Sequence, residues 1–172
     1  MTPEYSHRVS LAELAEAPQQ WRDSASETAR GGLAQRFGLL ALQRFDADVT
    51  AERVPSGDVC VSGRIRADVV QRCVVSGQPV PAQLDEAFDL RLTDAKTLAA
   101  WQSGQVDFGD QDVDLLEGDS IDLGELASQS LALCLDPYPR APGAQMPQVD
   151  GVEQNQPARS SPFAALKRMK DT

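Results

Sequence analysis

The chain has 172 residues, of which 41% are hydrophobic, and a formal net charge of −10. This length is enough for one domain with its own core, and the apolar fraction excludes a wholly disordered chain. No apolar run approaches the roughly 20 residues that a membrane helix needs, and the first residues lack the basic-then-apolar pattern of a secretory signal. We therefore expect a cytoplasmic protein that makes no membrane contact.

The N-terminal part is predicted to hold a short edge strand and a helix. Residues 4–12 alternate between apolar and polar side chains, which favours a strand. Ser24 is followed three residues later by Glu27, a capping-box pattern that opens a helix running to about Phe37. Two glycines in the middle of this helix cost roughly 1 kcal/mol each relative to alanine.

Alternating apolar and polar residues predict a series of strands after this helix. The predicted strands are residues 45–52, 59–69, 71–75, 84–92 and 112–116. Acidic residues on the first strand are predicted to face arginines on the second, across a hairpin turn at residues 55–58. A short helix is predicted at residues 95–101, followed by a loop at residues 104–109.

The clearest helix begins at Asp122 and is stopped by Pro137. Asp122 and Glu125 form a second capping-box pattern. Apolar residues at intervals of three and four predict one buried stripe on this helix. The stripe comprises Leu123, Leu126, Ala127, Leu131, Cys134 and Leu135. Together these elements predict one α+β domain over residues 1–140, an antiparallel β-meander, curled or barrel-like, packed with two main helices.

The C-terminal part is predicted to be a flexible tail. Residues 141–160 are rich in proline, glutamine and asparagine, and this composition predicts a flexible linker. Residues 161–172 read as a short amphipathic helix, which is marginal alone in water. Its apolar side holds Phe163, Leu166 and Met169, and its bases are Lys167, Arg168 and Lys170. Such a helix either frays or docks, on a partner or on its own domain.

The cysteines and the histidine do not form a metal-site pattern. Cys60, Cys73 and Cys134 are far apart in the sequence, and His7 is the only histidine. A structural zinc site needs four such ligands, usually as two close pairs. A nucleophilic cysteine needs a neighbouring base. The sequence therefore predicts no metal, no cofactor, no catalytic residues and no small-molecule substrate.

The negative charge is concentrated in residues 84–125, which hold twelve acidic and two basic residues. The densest acidic cluster comprises Asp107, Asp110, Asp112 and Asp114. This cluster imitates a calcium or magnesium loop, but the central glycine and the terminal glutamate of an EF-hand are not at the required positions. A solvated acidic loop is therefore preferred to a metal loop, and two roles stay open for the acidic residues, solubility alone or attraction of a basic protein.

Direct contact with RNA would depend on the few basic residues of the chain. Arg64, Arg66 and Arg72 follow one another on the predicted hairpin and could pair bidentately with phosphate. The acidic segment would repel a phosphate backbone. Our hypothesis is that the acidic segment engages a basic protein, and that any RNA contact uses these arginines.

Three segments carry a family resemblance. They are residues 61–80 with Val61, Gly63, Ile65 and Ala67 leading to Gln71-Arg72-Cys73; residues 121–139, Ile-Asp-Leu-Gly-Glu through Asp-Pro-Tyr-Pro; and residues 162–167, Pro-Phe-Ala-Ala-Leu-Lys. In this order and spacing they resemble the YceD-like family of large ribosomal RNA subunit accumulation proteins. Where family members often carry Cys-x-Arg-Cys, Val70 replaces the first cysteine, which removes a metal or redox role.

The resemblance implies a ribosome biogenesis factor that is needed for normal levels of large-subunit (23S) rRNA and has no known enzymatic activity. Such a factor would bind rRNA or a ribosomal protein. The alternatives are an adaptor without a direct rRNA role and an uncharacterised small enzyme. The candidate partner-binding residues are Arg64, Arg66, Arg72, Asp107, Asp110, Asp112, Asp114, Phe163, Leu166 and Lys167.

Overall fold

A computed structural model describes residues 3–145, so the predicted C-terminal helix and most of the predicted linker lie outside the described residues. Seven strands and four helices follow one another in this part of the chain. The strands are β1 (Arg8–Ser10), β2 (Gln19–Ser24), β3 (Ala41–Arg53), β4 (Val59–Arg72), β5 (Pro79–Thr93), β6 (Asp112–Leu115) and β7 (Ser120–Asp122). The helices are α1 (Leu11–Glu16), α2 (Glu27–Phe37), α3 (Ala95–Gln102) and α4 (Leu123–Cys134).

The main sheet has five strands in the order β2-β3-β4-β5-β6, and β1 pairs separately with β7. Strands β2 to β5 form an antiparallel meander, and β6 adds to β5 in parallel. The α+β class and the meander are confirmed. The barrel-like alternative is not realised, because β2 and β6 are the two edges of an open sheet in the described part of the chain.

The core lies between the sheet and the helices α4, α2 and α1, on what we call the inner face of the sheet; Leu33 of α2 and Leu14 of α1 are buried in it. Alternate residues of β3 and β4 are buried there, among them Phe45 (1% exposed) and Ile65 (0%). In α4, Leu123, Ala127 and Leu131 are fully buried, as the apolar stripe predicts. The other three stripe residues, Leu126, Cys134 and Leu135, are only partly buried at the margin of the core.

The N-terminus of α4 ties three parts of the chain together. The Asp122 carboxylate caps the helix, accepting hydrogen bonds at 3.1 Å from the backbone N–H groups of Gly124 and Glu125. The Glu125 carboxylate pairs with the Arg36 guanidinium of α2, at 2.8 Å and 2.5 Å. Tyr5 packs its ring 5.3 Å from that of Phe45, so the N-terminal segment also covers the core.

The N-terminal part differs from the prediction. The strand expected at residues 4–12 is limited to β1, because Ser10 caps α1: its hydroxyl accepts from the Glu13 N–H at 3.2 Å, and the Glu13 carboxylate accepts from the Ser10 N–H at 2.8 Å. The cap of α2 is Ser26 rather than Ser24. Ser24 belongs to β2, which the polar sequence did not predict, and its hydroxyl donates to Asp46 at 2.7 Å.

The separate strand predicted at residues 71–75 does not exist. Strand β4 continues to Arg72, which lies opposite Pro79 in the pairing with β5. The following residues form a turn in which the Cys73 N–H donates to the Gln78 carbonyl at 2.8 Å. Gly77 supplies the positive φ of 73° that this turn requires.

A buried carboxylate joins the start of β4 to the end of β5. Asp58 is 6% exposed and accepts hydrogen bonds from Thr93 (2.7 Å), Ser56 (2.9 Å) and Arg91 (3.0 Å). Burial disfavours its charged form, but these three donors together outweigh burial and hold the pKa of Asp58 below its usual value.

The stripe of α4 predicts a sharp contrast between two leucines two residues apart. Leu131 is fully buried and Leu133 is 81% exposed. We expect Leu131→Ala to lower the free energy of unfolding by about 2–5 kcal/mol, because it leaves a cavity in the core. Urea denaturation measures this, with Leu133→Ala as the matched control that stays close to wild type. Equal losses in the two variants would show that the stripe does not face the core.

Two helical glycines are expected to respond in opposite directions to alanine. A Cβ at Gly31 in α2 meets nothing within 4 Å, whereas a Cβ at Gly124 in α4 would lie 2.8 Å from the backbone of Ser6. Gly31→Ala should therefore raise the free energy of unfolding by about 0.5–1 kcal/mol. Gly124→Ala should lower the melting temperature, because the N-terminal segment has to move away. A stabilised Gly124→Ala protein would contradict this packing.

The pKa of Asp58 predicts a loss of stability in acid. Since the pKa is lower in the folded than in the unfolded state, the stabilisation is present above the unfolded value of about 4 and is lost as the pH falls through the folded value. We expect the stability of the wild-type protein between pH 7 and pH 3, measured by urea denaturation, to fall more steeply than that of Asp58→Asn. Parallel pH profiles would rule out this contribution.

Candidate functional site

The predicted arginines lie on the outer face of the sheet, opposite α4. The register of β3 and β4 places Asp46 opposite Arg66 and Asp48 opposite Arg64, so the predicted facing of acids and arginines is confirmed. Arg64 Nε lies 2.5 Å, and Arg66 Nε 3.4 Å, from Asp85 Oδ1 on β5.

Two neighbouring arginines of the outer face are paired in the same way. Arg22 of β2 forms an ion pair with Asp48, and Arg44 Nε donates to Asp46 at 2.6 Å. We call Arg22, Arg44, Arg64 and Arg66 the arginine face. Because each of its members lies against an aspartate, this face is a mosaic of both charges rather than a positive patch.

Arg72 lies apart from the arginine face. It is eight residues beyond Arg64 at the exposed end of β4, about 26 Å along the strand. There it lines a small cleft of about 350 Å³ together with Pro137 and Pro139. The structure thus brings Arg64 and Arg66 together and leaves Arg72 at a different surface.

A larger groove, of about 1020 Å³, runs along β5 and is called the β5 groove below. Strand β6 pairs with Leu90 and the three residues that follow it, so among residues 3–145 the preceding part of β5 is an open edge. On the α4 side the groove is apolar. Its apolar lining residues on this side are Phe88, Leu90, Leu126, Leu133 and Cys134, whereas Val113, in register with Arg91, belongs to the outer face.

The apolar floor of the β5 groove depends on a glycine. Gly63 of β4 lies opposite Phe88 of β5, and a Cβ at residue 63 would come within 2.5 Å of the Phe88 ring. Without a side chain at this position, the ring lies across β4. On the opposite side Leu133 projects from α4, 81% exposed.

The rim of the β5 groove is acidic. Five aspartates and one arginine line it, namely Asp48, Asp89, Asp110, Asp112, Asp114 and Arg64. Asp112 is in register with Leu90 on the parallel strand, so its side chain shares the inner face with the apolar floor. Three of the four clustered aspartates predicted from the sequence therefore meet here. Asp107 lies in the preceding turn, where its carboxylate accepts from the Gly109 N–H at 2.8 Å.

Two side-chain contacts hold the loop before β6, residues 108–111, beside β5. The guanidinium of Arg91 lies 4.2 Å from the centre of the Phe108 ring, a cation–π contact. Gln111 Nε2 donates to Asp89 Oδ1 at 2.7 Å. Sequence reasoning missed Gly63, Phe88 and Leu133 as site residues; the signal available was Leu133, an apolar residue off the buried stripe of α4.

The thiols of the chain lie in different environments. Cys73 is 2% exposed, and its Sγ accepts from the Ala141 and Ser76 N–H groups, each at 3.3 Å. These backbone donors, that of Ala141 foremost, lower the pKa of Cys73 to about 6. Burial raises the pKa of the Cys134 thiol in the β5 groove.

Within residues 3–145 no group of three or more His, Cys, Asp or Glu side chains is arranged to hold a metal ion. In the same range no helix is both long and apolar enough to cross a membrane. The predicted candidates Phe163, Leu166 and Lys167 lie outside the described residues.

Comparison with protein families matches residues 61–170 to the family described as "Large ribosomal RNA subunit accumulation protein YceD". No curated protein and no solved structure matches the chain significantly. The match begins in β4, includes β5, β6 and α4, and therefore contains most of the β5 groove. Since it covers more than half of the sequence, the chain belongs to the YceD family, whose name ties its members to the accumulation of large-subunit ribosomal RNA.

Proposed function

We propose that the protein is a non-catalytic binding factor that supports large-subunit rRNA accumulation by holding a basic protein of the large ribosomal subunit in the β5 groove. The observation that carries this proposal is the combination of an apolar floor with a rim of five aspartates and one arginine. An amphipathic segment docks in such a groove through its apolar side, and lysines or arginines beside that side meet the rim.

The charges of the outer face support a protein partner over direct RNA binding. Affinity for RNA comes largely from cations that neutralise phosphates. Arg64 and Arg66 already lie against Asp85, so a phosphate has to compete with a carboxylate that is part of the fold. The net charge of −10 adds a long-range repulsion, whereas the same charge draws in a basic protein.

The chemistry of the β5 groove supports a binding role over catalysis. Nucleophilic catalysis needs a thiol or hydroxyl activated by an adjacent base. The thiol in the groove is Cys134, and burial raises its pKa, which reduces its nucleophilic thiolate form at neutral pH. The groove therefore offers apolar contact and fixed negative charge as its means of recognition.

Removing the rim charges tests the proposal. In cells lacking the endogenous protein, we expect Asp110→Asn/Asp112→Asn/Asp114→Asn to recover less basic ribosomal protein on affinity purification and to lower large-subunit relative to small-subunit rRNA. Added salt should weaken capture by the wild-type protein more than residual capture by the variant, because screening acts on the charges removed.

The matched control changes the same net charge at exposed acids outside the β5 groove, Glu16→Gln/Glu52→Gln/Glu117→Gln. This triple variant should capture the partner and sustain rRNA as the wild type does. If the aspartate variant retains both properties, the groove is not the partner site. If Arg64→Gln/Arg66→Gln instead abolishes rRNA accumulation while partner capture persists, direct RNA contact through the arginine face replaces the proposal.

A further inference from the structure

We infer that the chain's own C-terminal segment, residues 161–170, occupies the β5 groove when no partner is bound, and that a basic partner has to displace it. This inference rests on the proposed function in taking the β5 groove as the partner site. It adds regulation: the groove carries a tethered competitor of the same chemistry as its partner.

The chemistry of the segment complements that of the groove. Phe163, Leu166 and Met169 recur every three residues, which places them on one side of a helix. In such a helix Lys170 falls on the same side, between Phe163 and Leu166, and Lys167 borders it, whereas Arg168 faces away. The groove offers an apolar floor at Phe88 and Leu90, partly exposed on the inner face, and its rim carries four more aspartates than arginines.

The length of the intervening chain permits this docking. Ala141 is anchored by the hydrogen bond from its N–H to the Cys73 Sγ, and it follows Cys134 of the groove by seven residues. The anchor is therefore at most about 25 Å from that part of the groove. The sequence predicts a flexible linker at residues 141–160, and a linker of this kind spanning the 20 residues from Ala141 to Ser161 has a root-mean-square length of about 22–27 Å, so its reach matches the span.

A tether of matching length raises the effective concentration of the segment at the groove, so that even weak contacts keep it mostly bound. Effective concentrations for short flexible linkers are in the millimolar range. A segment that binds the groove with a Kd of about 0.1 mM as a separate peptide would then be bound about nine-tenths of the time as a tethered one. A partner for the groove would bind roughly tenfold more weakly than to an open groove, because only about one-tenth of the molecules are competent.

Disulfide trapping in the full-length protein tests the location of the segment. Cys134 is a native thiol in the β5 groove, whereas Cys60 does not line the groove. In Leu166→Cys, mild oxidation at low protein concentration should link residue 166 to Cys134 within one chain, as identified by peptide mass spectrometry. Leu133→Cys/Leu166→Cys offers a second, more exposed partner thiol and should cross-link faster.

The control places the new thiol in the linker. Gln154→Cys is on the same tether but outside the segment, and should link to Cys134 several-fold less efficiently. Adding Asp110→Asn/Asp112→Asn/Asp114→Asn to Leu166→Cys should reduce the 134–166 link. Equal efficiency for residues 154 and 166, or equal linkage of residue 166 to Cys60, overturns the inference.

Competition supplies an independent readout. A synthetic peptide of residues 159–172 should bind the full-length variant Phe163→Ala/Leu166→Ala about tenfold more tightly than the wild type, because the groove is then open. Equal affinities overturn self-occupancy. If cross-linking and competition both give the contrary result while the triple aspartate variant still captures less ribosomal protein, only this inference fails. If cross-linking and competition give the expected results while the triple aspartate variant captures the ribosomal protein as the wild type does, only the proposed function fails.

Discussion

Packing of α4 on the inner face of β3 and β4 is the contact on which the rest of the structure depends. Leu123, Ala127 and Leu131 are fully buried there, and they close the core that Phe45 and Ile65 form from the sheet side. The N-terminus of the same helix fixes the Asp122 cap and the Glu125–Arg36 ion pair. A helix that did not present these residues on one face would leave the inner face of the sheet exposed to water. The lost stabilisation would be about 25 cal/mol for each Å² of apolar surface left exposed.

The β5 groove follows from the same packing. One helix is about 10–12 Å wide, whereas neighbouring strands are about 4.8 Å apart, so α4 covers two to three strands and cannot cover five. Since α4 lies on β3 and β4, the inner face of β5 is only partly covered, and Phe88 and Leu90 remain accessible. Strand β6 then brings Asp112 and Asp114 to this uncovered region. The apolar floor and the acidic rim are thus consequences of where α4 sits on the sheet, with α1 and α2 packed on β3 and away from β5.

The charges of the two faces have different consequences. On the outer face, Arg64 and Arg66 share Asp85, and Arg22 and Arg44 pair with Asp48 and Asp46, so opposite charges satisfy each other within the fold. These exposed pairs contribute little to stability, typically below about 1 kcal/mol each. They also offset the positive charge that an RNA contact would need. Although Asp48 pairs with Arg22, the rim of the β5 groove keeps an excess of negative charge through Asp110, Asp112 and Asp114, and it is the surface proposed to meet a basic partner.

Local sequence patterns determined most of the elements: the alternation of β3 and β4, the cap and stripe of α4, and the facing of Asp46 and Asp48 by arginines. They also contain the Ser10–Glu13 capping box of α1, within the alternating residues that favour a strand. Strand β2 could not be predicted in this way, because Gln19–Ser24 is polar and becomes a strand only by pairing with β3. Likewise, the stripe of α4 predicted that Leu131 faces the core, but only the tertiary packing shows that Leu133, off the stripe, lines the β5 groove. The sequence alone determined the acidic segment, the family resemblance and the principal elements. The tertiary structure decided that three clustered aspartates meet an apolar floor and that the arginines are paired with aspartates. Both are contacts between residues distant in the chain, which local sequence patterns do not specify.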